Sequence, residues 1–146
     1  VYPQQQDNGD RVIERTQLAD VLRPGETQAV IIRTMPNDTA KRTRQYSGTN
    51  PPYLAEAAAQ LLVDYGVDHL LLDLPSVDRE QDEGKLAAHR AFWQYPYAIR
   101  ETATITELCY VPDHLVDGLY LLNLQTSPIL LDASPSKPVL YPLCSV

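Results

Sequence analysis

The fold is decided by the stretch GVDHLLLDL (residues 66–74), in which a glycine precedes a nearly continuous apolar run. Such a run is typical of a strand that is buried on both faces of a parallel sheet. A second run of this kind, TQAVIIRT, occupies residues 27–34. Between the two, Tyr53–Tyr65 has apolar residues at helical spacing, and Gly66 is a suitable residue to end that helix. The order strand–helix–strand predicts a right-handed βαβ crossover.

The rest of the chain predicts a short helix before this core and a more antiparallel run after it. The polar segment Val1–Gly9 is interpreted as a loose arm, and Thr16 is a candidate cap for a helix over Arg15–Leu22. A helical stretch opens at Asp78 or Asp82 and ends at Tyr95-Pro96-Tyr97. Further strands are predicted over Ala103–Tyr110, Leu119–Leu124 and Val139–Leu143. The predicted fold class is therefore α/β, with a βαβ core and a mixed sheet.

Length and charge limit the classes of function. The 146 residues predict one domain over residues 1–146. The formal net charge of −7 argues against nucleic-acid binding, which requires clustered Lys and Arg. No apolar run is long enough to span a membrane, and no basic, then apolar, leader opens the chain. The cysteines, Cys109 and Cys144, are interpreted as small buried hydrophobes, which favours a reducing, cytoplasmic location.

Of the three histidines, His89 is the best candidate for chemistry. It lies on a predicted helix face among small residues, where a bulky group could approach it. His69 stands at the entrance of an apolar strand, where a structural role is the better interpretation. His114 lies in a charged turn and is expected to be solvated.

Two carboxylates are of interest as well. Glu107 lies within an apolar strand, so its side chain must face solvent, be paired, or bind a metal. Its spacing alone favours the solvent-facing interpretation. Asp73 follows the second buried strand, at the end of the sheet where α/β proteins usually bind ligands. The alternative role for Asp73 is to cap Ser76 or the backbone amides that follow it.

Two loops are candidates for lining a pocket. The loop Pro36–Pro52 carries Lys41, Arg42 and Arg44, which could contact an anionic substrate, although a solvated loop explains them more simply. Aromatic residues cluster around the segment Gln94–Thr102. They would suit an aryl substrate, but could equally belong to a core or an interface. The aromatic candidates for the substrate pocket are Trp93, Tyr95 and Tyr97.

These residues do not assemble a complete catalytic constellation by themselves. The chain contains no His-x-x-x-His or His-x-Asp pair, although a catalytic zinc site usually has about three protein ligands. It also contains no Gly-x-Ser-x-Gly motif and no glycine-rich phosphate loop.

Several stretches, in order along the chain, resemble the cyclase family of metal-dependent hydrolases, whose members include kynurenine formamidase and isatin hydrolase. Residues 66–78 are similar to the family segment G-[IV]-x-x-[IL]-G-[IV]-D-[TS]-P-S-[VI]-D, and residues 86–93 to its helix L-x-x-H-x-x-[LF]. Residues 105–108 are similar to its strand I-x-E-x-[LV]. The stretches 117–124 and 132–140 resemble its closing hairpin.

The resemblance implies a swivelling β/β/α fold, homo-oligomers of two or more chains, and hydrolysis of linear or cyclic amides at bound metal ions. His89 matches the family histidine that reaches the metal site from the C-terminal half, and Glu107 matches its carboxylate partner. A neutral imidazole and a carboxylate suit Zn²⁺ or Mn²⁺. The implied substrate is a small molecule.

The family segment H-x-G-T-H-x-D-x-P, which supplies the primary metal ligands, has no counterpart in this sequence. The resemblance therefore implies the C-terminal part of such an enzyme, with an incomplete ligand set. Two alternatives stay open. The chain could be an inactive remnant that acts as a small-molecule-binding or structural oligomeric module. It could also be an unrelated α/β binding domain, which the absence of the βαβ crossover would favour.

Overall fold

The structure is a computed structural model that describes residues 1–143. Its strands are β1 (Gln4–Gln5), β2 (Arg11–Ile13), β3 (Ala29–Ile32), β4 (Tyr53–Leu54), β5 (His69–Leu72), β6 (Thr104–Thr106), β7 (Tyr120–Thr126) and β8 (Ser136–Pro142). Its helices are α1 (Arg15–Ala19), a 3₁₀ helix (Thr39–Arg42), α2 (Glu56–Asp64) and α3 (Ala87–Trp93).

The βαβ core predicted from the two apolar runs is present. Strands β3 and β5 pair in parallel, with Ala29 opposite His69 and Ile32 opposite Leu72, and α2 lies between them in the chain. Strand β6 pairs in parallel on the other side of β5, which gives the order β3-β5-β6. The expectation of an antiparallel run directly after the core was wrong for β6, because α3 makes a second crossover from β5 to β6.

A second small sheet has the order β1-β2-β4 and contains both antiparallel and parallel pairing. It corrects two expectations. The segment Val1–Gly9 is not a loose arm, since Gln4–Gln5 pairs with β2 and the N–H of Met35 donates to the Val1 carbonyl at 2.8 Å. Tyr53 and Leu54 are a strand rather than the first turn of a helix. The mixed α/β class is confirmed, since the sheet β3-β5-β6 is parallel, the sheet β1-β2-β4 is mixed and the hairpin β7–β8 is antiparallel.

Helix α2 lies close to its predicted position, whereas α1 and α3 are shorter than predicted. Helix α1 ends at Ala19 rather than Leu22, and its cap is Glu14, which exchanges hydrogen bonds with Gln17, rather than Thr16. Helix α3 begins only at Ala87. Residues 79–86 form a loop, because Leu86 adopts a left-handed conformation with φ of 49° that interrupts any earlier helix.

The core lies between the parallel sheet and its helices. Leu70, Leu71 and Leu72 of β5 are completely buried, which is the burial on both faces that their sequence predicts. Helix α2 packs against both α1 and α3. The largest fully buried side chains are Phe92, Ile13, Leu18, Leu54, Leu61, Leu62, Leu70, Leu71, Leu72, Leu74, Val67 and Val77.

The chain divides into two compact units, with the boundary after Pro112. The first unit contains β1–β6 and all the helices named above. The second contains the hairpin β7–β8, which is paired antiparallel from Tyr120 opposite Pro142 to Thr126 opposite Ser136 and agrees with the predicted closing hairpin. The interpretation of residues 1–146 as one domain stays a prediction. No helix within residues 1–143 is long and apolar enough to cross a membrane.

Phe92 tests the packing of α3 against the core. Its side chain is fully buried, so Phe92→Ala removes apolar contacts and leaves a cavity. We expect the free energy of unfolding to fall by about 3–5 kcal/mol. The matched control is Tyr97→Ala, because Tyr97 is 96% exposed, and there the expected change is within about 0.5 kcal/mol. Urea unfolding measures both, and equal effects would contradict this packing.

Asp10 tests the small sheet, since it is buried and accepts hydrogen bonds from several side chains. The hydrogen bond from Asn50 is the largest of the influences that hold the pKa of Asp10 below its ordinary value of 3.8, against burial, which raises it. The other donors are Arg79, Tyr53 and Asn8.

A lowered pKa in the folded state means that ionised Asp10 stabilises the fold above 3.8 and that this stability is lost as the pH falls through the folded-state pKa. Asp10→Asn is therefore expected to have a lower free energy of unfolding at neutral pH. Its stability should also decrease less than that of the native chain as the pH falls. Urea unfolding from neutral to acid pH measures this. Asp7→Asn is the exposed control, and the same acid dependence in both variants would refute the role of Asp10.

Candidate functional site

The candidate site lies at the carboxyl ends of the parallel strands. Asp73 directly follows β5, and Glu107 directly follows β6. The chain after Glu107 crosses the end of β5, because the N–H groups of Leu108 and Cys109 donate to the carbonyls of Leu74 and Leu72 at 2.8 and 2.9 Å. Both candidate carboxylates thus stand at the edge where open α/β sheets bind ligands.

The structure brings His89 and Glu107 together. His89 comes from the first turn of α3, and its Nε2 lies 3.6 Å from Oε1 of Glu107. The side chains are 19% and 30% exposed, so both reach solvent from a largely buried position. Residues 18 apart in sequence become neighbours because the start of α3 and the residue after β6 lie at the same end of the sheet.

Asp78 forms a hydrogen bond with the ring nitrogen of His89 that faces away from Glu107. Its Oδ2 lies 2.6 Å from Nδ1 of His89, and its Oδ1 accepts the backbone N–H of Ala88 at 2.6 Å. A carboxylate only accepts hydrogen bonds, so the imidazole proton belongs on Nδ1 and the lone pair of a neutral ring belongs on Nε2. Asp78 therefore sets both the position of the ring and the nitrogen that faces Glu107.

The environment of Glu107 disfavours its charged form. Burial raises the pKa of Glu107 above its ordinary value of 4.5, and the charge of Asp78 acts in the same direction. The N–H of Val77, which donates to Oε1 at 3.0 Å, and the proximity of His89 both oppose this rise in pKa. The carboxylate is therefore oriented by the backbone but lacks a full set of partners.

The imidazole nitrogen of His89 and the carboxylate oxygen of Glu107 are atoms of the types that bind Zn²⁺ or Mn²⁺. In the neutral ring, the Nε2 lone pair of His89 faces the oxygen lone pairs of Glu107, which is favourable only with a cation or proton between them. Two ligands of a tetrahedral zinc, each about 2.1 Å from the ion, lie about 3.4 Å apart. The observed 3.6 Å is close to that separation. In metal sites a carboxylate often bonds the far nitrogen of a metal-binding histidine, and Asp78 has this position relative to the ring of His89.

The number of metal-binding side chains grouped together in residues 1–143 is too small for a complete metal site. Within residues 1–143, no group of three or more His, Cys, Asp or Glu side chains is arranged to hold a metal ion. A metal site usually takes about three protein ligands or more. His89 and Glu107 can therefore supply two ligands, fewer than a complete metal site requires.

Asp73 has different partners from those expected. Its buried carboxylate accepts the backbone N–H and the hydroxyl of Thr34, and it pairs with Nζ of Lys41 at 2.8 Å. The side chains of Lys41 and Asp73 are only 6% and 0% exposed. Neither Ser76 nor the amides that follow it are its partners in these contacts. A role for Asp73 in the substrate pocket stays a prediction.

The three aromatic candidates lie in different environments. The ring of Trp93 is 5.2 Å from that of His89, and its indole N–H donates to the carbonyl of Ala103 at 3.0 Å. Tyr95 is 53% exposed and stacks on the guanidinium of Arg90, while Tyr97 is 96% exposed. Trp93 is thus the one of these three beside His89, and a pocket role for each of them stays a prediction.

The other two histidines and Cys109 each have an environment of their own. Nδ1 of His69 is 2.9 Å from the Thr104 hydroxyl, a contact between adjacent strands that fits a structural role. His114 is exposed. Cys109 is a half-buried free thiol whose pKa is raised chiefly by burial. Cys144 lies outside the described residues.

Sequence reasoning missed the roles of Asp78 and Lys41. The sequence indicates Asp78 as a helix start and as part of the family segment, yet its carboxylate binds both the N–H of Ala88 and the ring of His89. No local pattern joins Asp78 to a helix that begins nine residues later. Lys41 lies in a polar loop, and nothing in the sequence indicates that its ammonium group is buried against Asp73.

Comparisons with known proteins define the family of proteins to which the chain belongs. Residues 3–79, more than half of the chain, match the family model described as "Putative cyclase", so the chain belongs to that family. His89 and Glu107 lie beyond the matched residues. The chain is 33% identical to a kynurenine formamidase from Bacillus cytotoxicus over 93 residues, which cover 63% of this chain and 41% of that protein.

Two solved structures share the fold. One, described as a predicted metal-dependent hydrolase from Bacillus stearothermophilus, is 19% identical with a TM-score of 0.62 and matches 88% of this chain and 56% of its own. The other, described as a potential metal-dependent hydrolase with cyclase activity, is 18% identical with a TM-score of 0.63 and matches 94% and 61%. The chain thus spans about half the length of the proteins it matches.

Asp78 is open to a direct test. Asp78→Ala leaves the N–H of Ala88 and Nδ1 of His89 without their acceptor, so we expect the free energy of unfolding to fall by about 2 kcal/mol. We also expect ¹⁵N NMR of the His89 ring to show a loss of the Nδ1–H tautomer. Glu101→Ala removes the same charge from an exposed position and should change neither quantity. An unchanged His89 spectrum in Asp78→Ala would disprove the contact.

Proposed function

We propose that this chain is part of a metal-dependent amide hydrolase of the cyclase and arylformamidase type, with His89 and Glu107 as two of its metal ligands. The observation that carries the proposal is the 3.6 Å approach of Nε2 of His89 to Oε1 of Glu107, with Asp78 bonded to the far side of the ring. The remaining ligands come from outside residues 1–143 of this chain.

The proposed chemistry divides between the ion and the protein. When bound, Zn²⁺ or Mn²⁺ polarises the amide carbonyl and lowers the pKa of a water molecule. Asp78 holds the proton on Nδ1 of His89 and so keeps Nε2 available as a donor atom. The N–H of Val77 fixes one oxygen of Glu107, and the ring of Trp93 lies against His89 and limits its motion.

The proposed substrate is a small molecule with an amide bond. Family membership and the formamidase relative support this class of substrate, and the net charge of −7 disfavours a nucleic acid. An aryl substituent on the amide would suit a wall that contains Trp93. Tyr95 and Tyr97 contribute to that wall only if the exposed segment around them folds over the substrate.

A homo-oligomer is part of the same proposal. The hairpin β7–β8 is a two-stranded sheet, a size that is marginally stable on its own, and it carries apolar residues on its surface. Leu121, Leu130 and Leu131 are 62%, 101% and 74% exposed. Sedimentation of the chain over a range of concentrations tests this point, and a monomer throughout would contradict it.

The alternative is an inactive remnant that serves as a binding or structural module. It is favoured by the absence, among the described residues, of a complete group of metal-binding side chains. The two functions differ in whether the chain binds a metal through His89.

Metal binding by His89 is the decisive measurement. We expect the chain to take up Zn²⁺ or Mn²⁺, and His89→Ala to weaken this binding by at least about tenfold, since even loss of an outer partner costs 10–100-fold. Competition with a fluorescent chelator and elemental analysis of the purified protein both measure it. His114→Ala is the matched control, because His114 is exposed in the other unit.

The outcomes are clear in both directions. Loss of binding in His89→Ala alone, with unchanged circular dichroism, supports the hydrolase. Equal metal content in the native chain and His89→Ala, or no metal in either, would overturn the assignment of His89 and favour the inactive module.

A further inference from the structure

A cavity of 210 Å³ opens beside Asp73 in the first unit, and its lining is basic although the chain is acidic. Three of its lining side chains are cations and one is an anion. Leu108, the residue after Glu107, also lines it. The charged lining residues are Lys41, Arg42, Arg44 and Asp73.

We propose that this cavity binds a small oxyanion, a carboxylate or phosphate group, through the guanidinium groups of Arg42 and Arg44. Neither the family match nor the hydrolase proposal assigns such a site, and it does not depend on either. In a protein with a net charge of −7, a concave surface lined by cations is where an anion is attracted most strongly.

Lys41 builds the cavity rather than binding the anion. Its ammonium donates to Asp73 at 2.8 Å, to the Thr34 hydroxyl at 2.9 Å and to the Thr34 carbonyl at 2.5 Å. These bonds use its three protons, Oδ1 of Asn37 is a longer fourth acceptor at 3.5 Å, and Asp73 neutralises the charge of Lys41. The buried ion pair between Lys41 and Asp73 therefore anchors the basic loop, Pro36–Pro52, to the ends of β3 and β5.

The two arginines are available for a ligand. Arg42 is exposed, and its guanidinium has no hydrogen bond or ion pair with another group in residues 1–143. Arg44 lies 3.8 Å from Asp38 and 5.9 Å from the ring of Tyr46. Because Arg44 and Asp38 are 42% and 56% exposed, this ion pair is weak in water and leaves most guanidinium donors free.

The backbone that carries the two arginines is anchored by contacts within the protein. The 3₁₀ helix Thr39–Arg42 is capped by Asp38, which accepts the N–H of Ala40 at 2.8 Å. Lys41 is held by its ion pair with the buried Asp73. A guanidinium presents a planar fork of donors that matches a carboxylate or phosphate. Because the backbone is already held, binding has to order only the two arginine side chains.

The volume limits the ligand. Pockets for drug-sized molecules measure about 300–1,000 Å³, so 210 Å³ suits a smaller compound, such as phosphate or an aryl carboxylate. Tyr110, Thr43 and Gln45 complete the lining with polar groups that can orient it. Leu108 gives an apolar side for a ring or short chain.

The test is a titration of the full chain with sodium phosphate and, separately, with sodium benzoate, followed by ¹H–¹⁵N NMR of the arginine Nε–H signals. The salt is kept low, at about 20 mM, so that screening does not hide the attraction. We expect saturable shifts confined to Arg42 and Arg44 with at least one of the two anions. Benzyl alcohol, a neutral ring compound, should not produce them.

Variants separate a specific site from overall charge. Arg42→Gln with Arg44→Gln should weaken anion binding by at least about tenfold, as loss of charge-assisted hydrogen bonds does. Arg15→Gln with Arg23→Gln removes the same charge from residues outside the cavity lining and should leave the affinity unchanged. All four side chains lie away from the buried core, so the variants are expected to fold.

Binding of phosphate alone, or of benzoate alone, identifies the preferred oxyanion and supports the site. Four results would overturn it. These are shifts that never saturate with either anion, the same shifts with sodium chloride, equal binding of benzyl alcohol, or equal loss of affinity in the Arg15 and Arg23 control. Because the readout is binding, these results are independent of whether His89 binds a metal.

Discussion

The burial of β5 on both faces is the constraint on which the rest of the structure depends. Three leucines of this strand are completely buried, and parallel strands flank it on each side. Parallel neighbours run in one direction, so the residues that follow them emerge at a common edge. Thr34, Asp73 and Glu107 meet there for that reason, although 73 residues separate the first from the last.

Carboxylates at this edge are partly removed from water, and each must find a partner. Asp73 pairs with Lys41 and Thr34, and this pair attaches the basic loop to the sheet. Asp78 binds the start of α3 and the ring of His89. Glu107 receives one backbone N–H and lies 3.6 Å from Nε2 of His89, so it has the least complete set of partners of the three. That incompleteness is what distinguishes a candidate ligand from a structural carboxylate.

The parts of the fold that could be predicted are those with strong periodic signals. The βαβ core followed from two apolar runs and a helix with a glycine stop, and family membership followed from ordered motifs of the kind seen around Gly66–Asp78. Strands of two residues, such as Gln4–Gln5 and Tyr53–Leu54, have no detectable period, because their pairing depends on a partner that is distant in sequence. The capping by Glu14 was missed for a related reason, since Thr16 is the better cap by residue type alone.

The sequence by itself determined the α/β class, the buried central strand, and His89 and Glu107 as the residues worth testing. These properties depend on local composition, on apolar periodicity and on similarity to family motifs. Only the tertiary structure decided that His89 and Glu107 face each other, that Asp78 orients the imidazole, and that Lys41 is buried against Asp73. The physical reason is that burial and charge pairing are properties of contacts between distant segments. Such contacts exist only once the parallel strands bring their ends to one edge.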